Sequence, residues 1–129
     1  MPMTETSAKE NLDQQLANNT AKMQEMVNQQ YNVEITRSVA LKFSCQGEDC
    51  AKRVSQALFA KGMKLLEHDP VKDGARFRIR VGVKRSLRDT VREDFTKDLA
   101  TTAAAMNGTY DGWELLADEA AETAQSHAA

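Results

Sequence analysis

The feature that most constrains this chain is a strict alternation over residues 75–84. Ala75, Phe77, Ile79, Val81 and Val83 fall on one side, and Arg76, Arg78, Arg80 and Lys84 on the other. Successive side chains of a strand point to opposite faces, so such a run needs a sheet with one covered face and one wet face. A second run makes the same demand. From Asn32 onward, Val33, Ile35, Val39, Leu41 and Phe43 alternate with Glu34, Thr36, Ser38, Ala40 and Lys42, which reads as a long half-buried strand. Arg37 falls on its apolar side and marks a candidate bulge.

Two strands of this kind need a helical layer, and the period changes twice to supply one. Gly47-Glu48-Asp49 opens a short helix with acidic residues at its positive end, Ala51, Val54, Ala57 and Leu58 form its inner face, and Gly62 ends it. Further on, Val91, Phe95, Leu99, Thr102, Ala103 and Met106 recur at helical spacing, with Ser86 to Asp89 as the cap. Gly108 reads as the left-handed residue that stops this helix. Met63 to Glu67 is a short strand, Asp69-Pro70 and Asp73-Gly74 bracket a turn, and Asp111 to Ala117 is the last strand, with Tyr110 and Trp113 flanking an Asp-Gly pair at its mouth.

The order β-α-β-β-α-β predicts an α+β, ferredoxin-like fold: a four-stranded antiparallel sheet with two helices on one face. The first and third strands become central neighbours, which lines up Arg76, Arg78 and Arg80 beside Glu34, Thr36, Ser38 and Ala40 on the open face. This domain is expected over residues 31–117, after an N-terminal amphipathic helix within residues 1–30 and before a flexible tail, 118–129. Thr4 or Ser7 is the candidate cap of the N-terminal helix. Its apolar positions Leu12, Leu16, Met23, Met26 and Val27 leave a narrow stripe with Ala17 beside it and Asn19 interrupting it. A stripe this thin suits docking on a surface or pairing with a second copy, and the reading leans to a homodimer through Leu12, Leu16, Met23 and Met26.

Composition decides mainly what to exclude. No 18-residue apolar run offers a membrane span, and no basic segment followed by an apolar core marks a signal peptide, so a cytoplasmic location is expected. Cys45 and Cys50 form one C-x4-C pair, while His68 and His127 stand apart with no metal-type spacing, so no metal site and no cofactor are expected. In a reducing compartment both thiols are expected to be free, as small buried or cap-region hydrophobes rather than a redox switch. No nucleophile is paired with a base and no glycine loop cradles phosphate, so no catalytic residues are assigned. The net charge of −2 hides a local excess: residues 72–92 hold eight Lys and Arg against Asp73 and Asp89, while the tail carries Asp118, Glu119 and Glu122.

In this order of elements, several local sequences carry a resemblance. They are Tyr31-Asn32-Val33-Glu34-Ile35 at the first strand, Ala57-Leu58-Phe59-Ala60-Lys61-Gly62 at the end of the first sheet-covering helix, and Tyr110-Asp111-Gly112-Trp113 at the last strand. Over residues 5–117 the chain resembles the RraB family, regulators of ribonuclease E activity. The resemblance implies a non-catalytic regulatory protein that binds the RNA-processing endonuclease or its scaffold and alters RNA decay. Well-known members are strongly acidic, and this chain departs from them in its basic belt. The candidate partner-binding residues are Arg76, Arg78, Arg80, Lys84, Tyr110 and Trp113, the two aromatics being structural anchors first. Two alternatives stand beside this reading. One is a non-specific RNA-binding module using the arginine-lined sheet face, although that face lacks the aromatics that stack bases. The other is an interaction module of an unrelated pathway.

Overall fold

The computed structural model describes residues 5–67 and 70–116, so the turn residue Asp69, His68 and the tail from Ala117 onward lie outside the described residues, as does Thr4. The two alternating runs become the two central strands. Strand β1 (Thr36–Cys45) and strand β4 (Arg76–Ser86) pair antiparallel in unbroken register, from Thr36 opposite Ser86 to Cys45 opposite Phe77. Strand β5 (Thr109–Leu115) pairs antiparallel with the other side of β1. The sheet order is β2-β4-β1-β5, with β2 (Lys64–Leu65) and β3 (Val71–Asp73) both pairing antiparallel with β4. Helices α2 (Glu48–Ala60) and α4 (Glu93–Ala105) cover one face, α3 (Leu87–Thr90) turns the chain between β4 and α4, and α1 (Glu5–Asn28) lies along α4 and the outer strand β5.

The core follows from the alternation. Val39, Leu41 and Phe43 of β1, Ile79 and Val81 of β4, and Tyr110 and Trp113 of β5 are buried against Ala51, Val54 and Leu58 of α2 and Leu99, Ala100 and Ala103 of α4. Full burial of one large apolar side chain stabilises by about 1.5–3 kcal/mol, so this layer supplies most of the driving force.

Five local expectations are corrected. The first strand begins at Thr36, not Asn32, because the Asn32 side chain accepts the Glu34 N–H at 3.0 Å and turns the chain; Ile35 is left exposed. Arg37 makes no bulge. It stays in register opposite Arg85 and points inward, and its head donates to the Asn32 carbonyl at 3.0 Å and lies 5.4 Å from the Tyr31 ring centre. An inward arginine, 1% exposed, is accommodated here because its buried head is held by the Asn32 carbonyl and lies over the Tyr31 ring. The bulge lies instead between Lys42 and Phe43, facing β5.

At the end of α4 the left-handed residue is Asn107, with φ 64°, and the Gly108 N–H closes onto the Ala103 carbonyl at 2.7 Å. Gly108 is needed for space: a Cβ there would sit 3.0 Å from Cys45 Sγ and 3.2 Å from the Ser44 carbonyl. The outer hairpin strand is split in two, so five strands replace the four expected; β3 joins β4 through Gly74, at φ 64°, and Ala75. Finally, Cys45 and Cys50 are joined as a disulfide, with Cα atoms 5.9 Å apart, rather than free. The end of β1 and the first turn of α2 converge, which brings the two residues within bridging range.

Candidate functional site

The candidate residues divide between the two faces of the sheet. Arg76, Arg78, Arg80 and Lys84 stand on the open face of β4, and the last three lie opposite Ser44, Lys42 and Ser38 of β1. Tyr110 and Trp113 face the other way, paired across β5 with Phe43 and Leu41, and are 0% and 1% exposed. One flat surface therefore does not contain both sets. In this arrangement the two rings act as anchors: Tyr110 packs on Phe43 with ring centres 5.2 Å apart.

Two of the four cations of the basic strip, Arg78 and Arg80, are paired with carboxylates of neighbouring segments. Arg80 pairs with Glu67 at 2.8 Å and with Glu114 at 3.2 Å, bridging β4 to the segment after β2 and to β5. Its hydrogen bond to Glu67, ahead of the surrounding carboxylate charge, raises the guanidinium above its ordinary pKa. Arg78 lies 3.5 Å from Asp73, Arg76 donates to Ser44 Oγ at 2.9 Å, and Lys84 donates to Ser38 Oγ. Beyond the strip, Arg88 pairs with Glu34, and Arg92 with Asp94 at 3.2 Å. A phosphate backbone binds by exchanging its counterions for Lys and Arg side chains, and at Arg78 and Arg80 it would compete with their paired carboxylates.

The most organised polar part of the molecule is the outer edge of β5, which α1 covers. Asn11 acts there as a substitute strand: its amide nitrogen donates to the Tyr110 carbonyl at 3.0 Å, and its amide oxygen accepts the Tyr110 N–H at 3.3 Å. Further along the helix, buried Asn19 accepts the Trp113 indole N–H at 3.0 Å and donates to Thr96 Oγ1 at 3.0 Å. Thr96 in turn donates to the Arg92 carbonyl at 2.9 Å, so one chain of hydrogen bonds joins β5, α1 and α4. Lys22 donates to the Trp113 carbonyl, with its ammonium 4.8 Å from the ring centre. Burial, followed by the charge of Lys42, lowers the pKa of Lys22.

Gln15 is buried between these contacts, and Gly112, at φ 107°, leaves room for it: a Cβ there would lie 3.2 Å from Gln15 Oε1. Asn11, Gln15, Asn19 and Lys22 recur every three or four positions, which is one face of a helix. A search for apolar stripes misses this seam because it treats Asn19 as an interruption. A repeat of polar residues at helical spacing is the signal that finds it.

The stripe itself is used at the margin of the seam. Leu12, Met23 and Met26 pack partly buried against the core, while Leu16 lines an outer groove with Met23, Val27 and Val91. Among the described residues no cluster of His, Cys, Asp and Glu could hold a metal ion, and no helix is long and apolar enough to cross a membrane.

Comparisons with known proteins agree with this architecture at the family level. No curated protein matches the chain. A formyltetrahydrofolate deformylase from Pseudomonas putida KT2440 is similar at 26% identity, over 62% of this chain and 28% of that one, with a TM-score of 0.39. A likeness that slight carries no argument. The model of the RraB family, Regulator of ribonuclease activity B, matches residues 14–115. That span runs from the seam of α1 through β1, β4 and the α4 face to the end of β5, and the chain belongs to the RraB family of ribonuclease regulators.

Proposed function

We propose that this protein is a non-catalytic regulator that binds a ribonuclease E-type endonuclease in the cytoplasm and inhibits its RNA processing. The family match over residues 14–115 carries the reading. The geometry is consistent with it, since the most highly organised polar groups, Asn11, Asn19 and Lys22, hold one element of the chain against another. Contact with the partner then falls to surface residues, and the open-face cations Arg76, Arg78, Arg80 and Lys84 remain the candidates. Non-specific RNA binding by those cations is the second reading, and the pairing of Arg78 and Arg80 with carboxylates weighs against it.

The test is a cleavage assay with purified ribonuclease E, a defined RNA and the full chain. Slower cleavage at a saturable, roughly stoichiometric dose, with no retention of the chain on the RNA alone, is the expected result. Unchanged cleavage at a large excess, with no complex in sedimentation, would overturn the inhibitor reading. Binding to the RNA alone with strong salt dependence would replace it with the nucleic-acid reading. Self-association through Leu12, Leu16, Met23 and Met26 is a further proposal, read out by sedimentation across micromolar concentrations.

A further inference from the structure

At one end of the sheet the end of β1, the first turn of α2, the last turn of α4 and the start of β5 converge on the two cysteines. Cys45 closes β1, Cys50 lies in the first turn of α2, and their Cα atoms are 5.9 Å apart, so the bond between the sulfurs forms without moving the backbone. The two sulfurs have unlike surroundings. Cys45 is 1% exposed and walled in: a Cβ on Gly108, the residue that leads into β5, would lie 3.0 Å from its Sγ. Cys50 is partly exposed, and its Sγ lies 2.8 Å from the carbonyl oxygen of Met106, the C-cap of α4. A sulfur in a disulfide has no proton to donate to that oxygen, whereas a thiol has one. The pocket therefore offers a partner to the open form of Cys50 as well as room for the closed pair.

We propose that Cys45 and Cys50 form a reversible thiol–disulfide switch at this junction, closed by a small disulfide such as oxidised glutathione and opened by the corresponding thiol. The proposal takes from the functional reading only the reducing compartment, where such a pair is open at rest and closes under oxidation. Closure takes two exchanges. The Cys50 thiolate, the sulfur a solute can reach, attacks one sulfur of oxidised glutathione. The bond between the two glutathione sulfurs breaks, one glutathione thiolate leaves, and Cys50 carries the other half as a mixed disulfide. The Cys45 thiolate then attacks Cys50 Sγ and expels the second glutathione thiolate. The protons of the two protein thiols end on the two glutathiones, and two electrons pass from the cysteines to the oxidant.

Opening changes the junction. Without the bond the sulfurs part to van der Waals contact. Cys45 has no room to yield beside Gly108, so Cys50 moves and carries the first turn of α2 with it. The centre of the sheet is unaffected, because β1 is held along its whole length by β4.

The experiment equilibrates the full chain in glutathione buffers of about 5 mM, from fully reduced to fully oxidised, approached from both directions. After acid quenching and alkylation of free thiols, intact mass gives the closed fraction. The proposal requires a closed fraction that is the same from both directions and passes through one half within the series. A bridge that persists in reduced glutathione overturns it in favour of a static structural bond, and thiols that stay open in oxidised glutathione overturn it as well. Single variants test the entry sulfur. Cys45→Ala should gain the mass of one glutathione at least tenfold faster than Cys50→Ala, whose remaining thiol is buried; equal rates overturn the assignment of Cys50. Amide NMR shifts of the wild type read the structural half. Reduction should move those of Glu48, Asp49, Met106 and Gly108 and leave those of Ile79 and Val81 in place. Changes confined to the two cysteines, or spread evenly through the sheet, overturn the switch. No outcome depends on ribonuclease E, so the switch and the inhibitor reading fail separately.

Discussion

The two edges of this sheet are closed in opposite ways. At β5 a whole helix lies against the strand, and side chains of α1 meet its polar groups: Asn11 on the Tyr110 backbone, Asn19 on the Trp113 indole and Lys22 on the Trp113 carbonyl. At β4 the cover is two short strands, Lys64–Leu65 and Val71–Asp73, with a gap beyond them. An uncovered strand edge invites pairing with other chains, and proteins blunt it by covering, shortening or charging it. Here one edge is covered by a helix and the other is fragmented and ringed with lysine and arginine. The difference is a division of anchoring, with the β5 edge held by side chains of α1 and the β4 edge by short strand pairings alone.

The largest test of that division is at Trp113. Trp113→Ala removes a fully buried ring and the indole donor together, and it should cost about 3–5 kcal/mol in denaturant unfolding. A cost below about 1 kcal/mol would mean that the β5 edge is not the anchored one. Asn19→Leu keeps the bulk but leaves the indole N–H without an acceptor and removes the bond that Thr96 Oγ1 accepts, while Thr96 keeps its own bond to the Arg92 carbonyl, and it should cost about 2–3 kcal/mol. The Cys45–Cys50 bridge closes a short loop and reduces the entropy of the unfolded chain, so Cys45→Ser with Cys50→Ser should lower stability by about 2 kcal/mol. An unchanged melting temperature would show that the bridge contributes nothing.

Tyr110 offers a pH test. Its hydroxyl is buried with no hydrogen-bond partner among the described residues, and burial raises its pKa above the ordinary 10.0. An acid whose folded pKa is raised gives stability that is complete below the unfolded pKa of about 10 and is lost as pH rises towards the folded value, here by about 1.4 kcal/mol per pH unit. Tyr110→Phe should remove that alkaline slope while changing neutral stability by less than about 1 kcal/mol, because no bond is lost. The smallest effect belongs to the β4 side. Arg80→Gln breaks two partly exposed ion pairs, which together should matter by less than about 1 kcal/mol, and less still in high salt.

The contrast between the edges also marks what could be read from the sequence. Two clean alternations, Val39 to Phe43 and Phe77 to Val83, and the helical repeat through Phe95 and Leu99 were enough for the sheet order and for the side on which the helices lie. Periodicity works there because burial of apolar surface drives the packing and follows the period. It fails where polar groups do the packing. Asn19 and Thr96 are buried because each is hydrogen-bonded, and Arg37 because its head is held by the Asn32 carbonyl. None of the three stands out on a hydropathy scale. The split of the outer hairpin into β2 and β3, and the meeting of Cys45 with Cys50, depend on how distant segments converge, which no local pattern records.

If α1 is part of the domain, held to β5 through Asn19, the Trp113 indole proton must register it. Because Trp113 is the only tryptophan, its indole N–H gives a single resonance in a nitrogen-correlated NMR spectrum. That proton should exchange slowly with water in the wild type, show a nuclear Overhauser contact to the Asn19 side chain, and exchange much faster in Asn19→Ala. An indole proton that exchanges freely in the wild type and is indifferent to Asn19 would contradict the anchoring of α1.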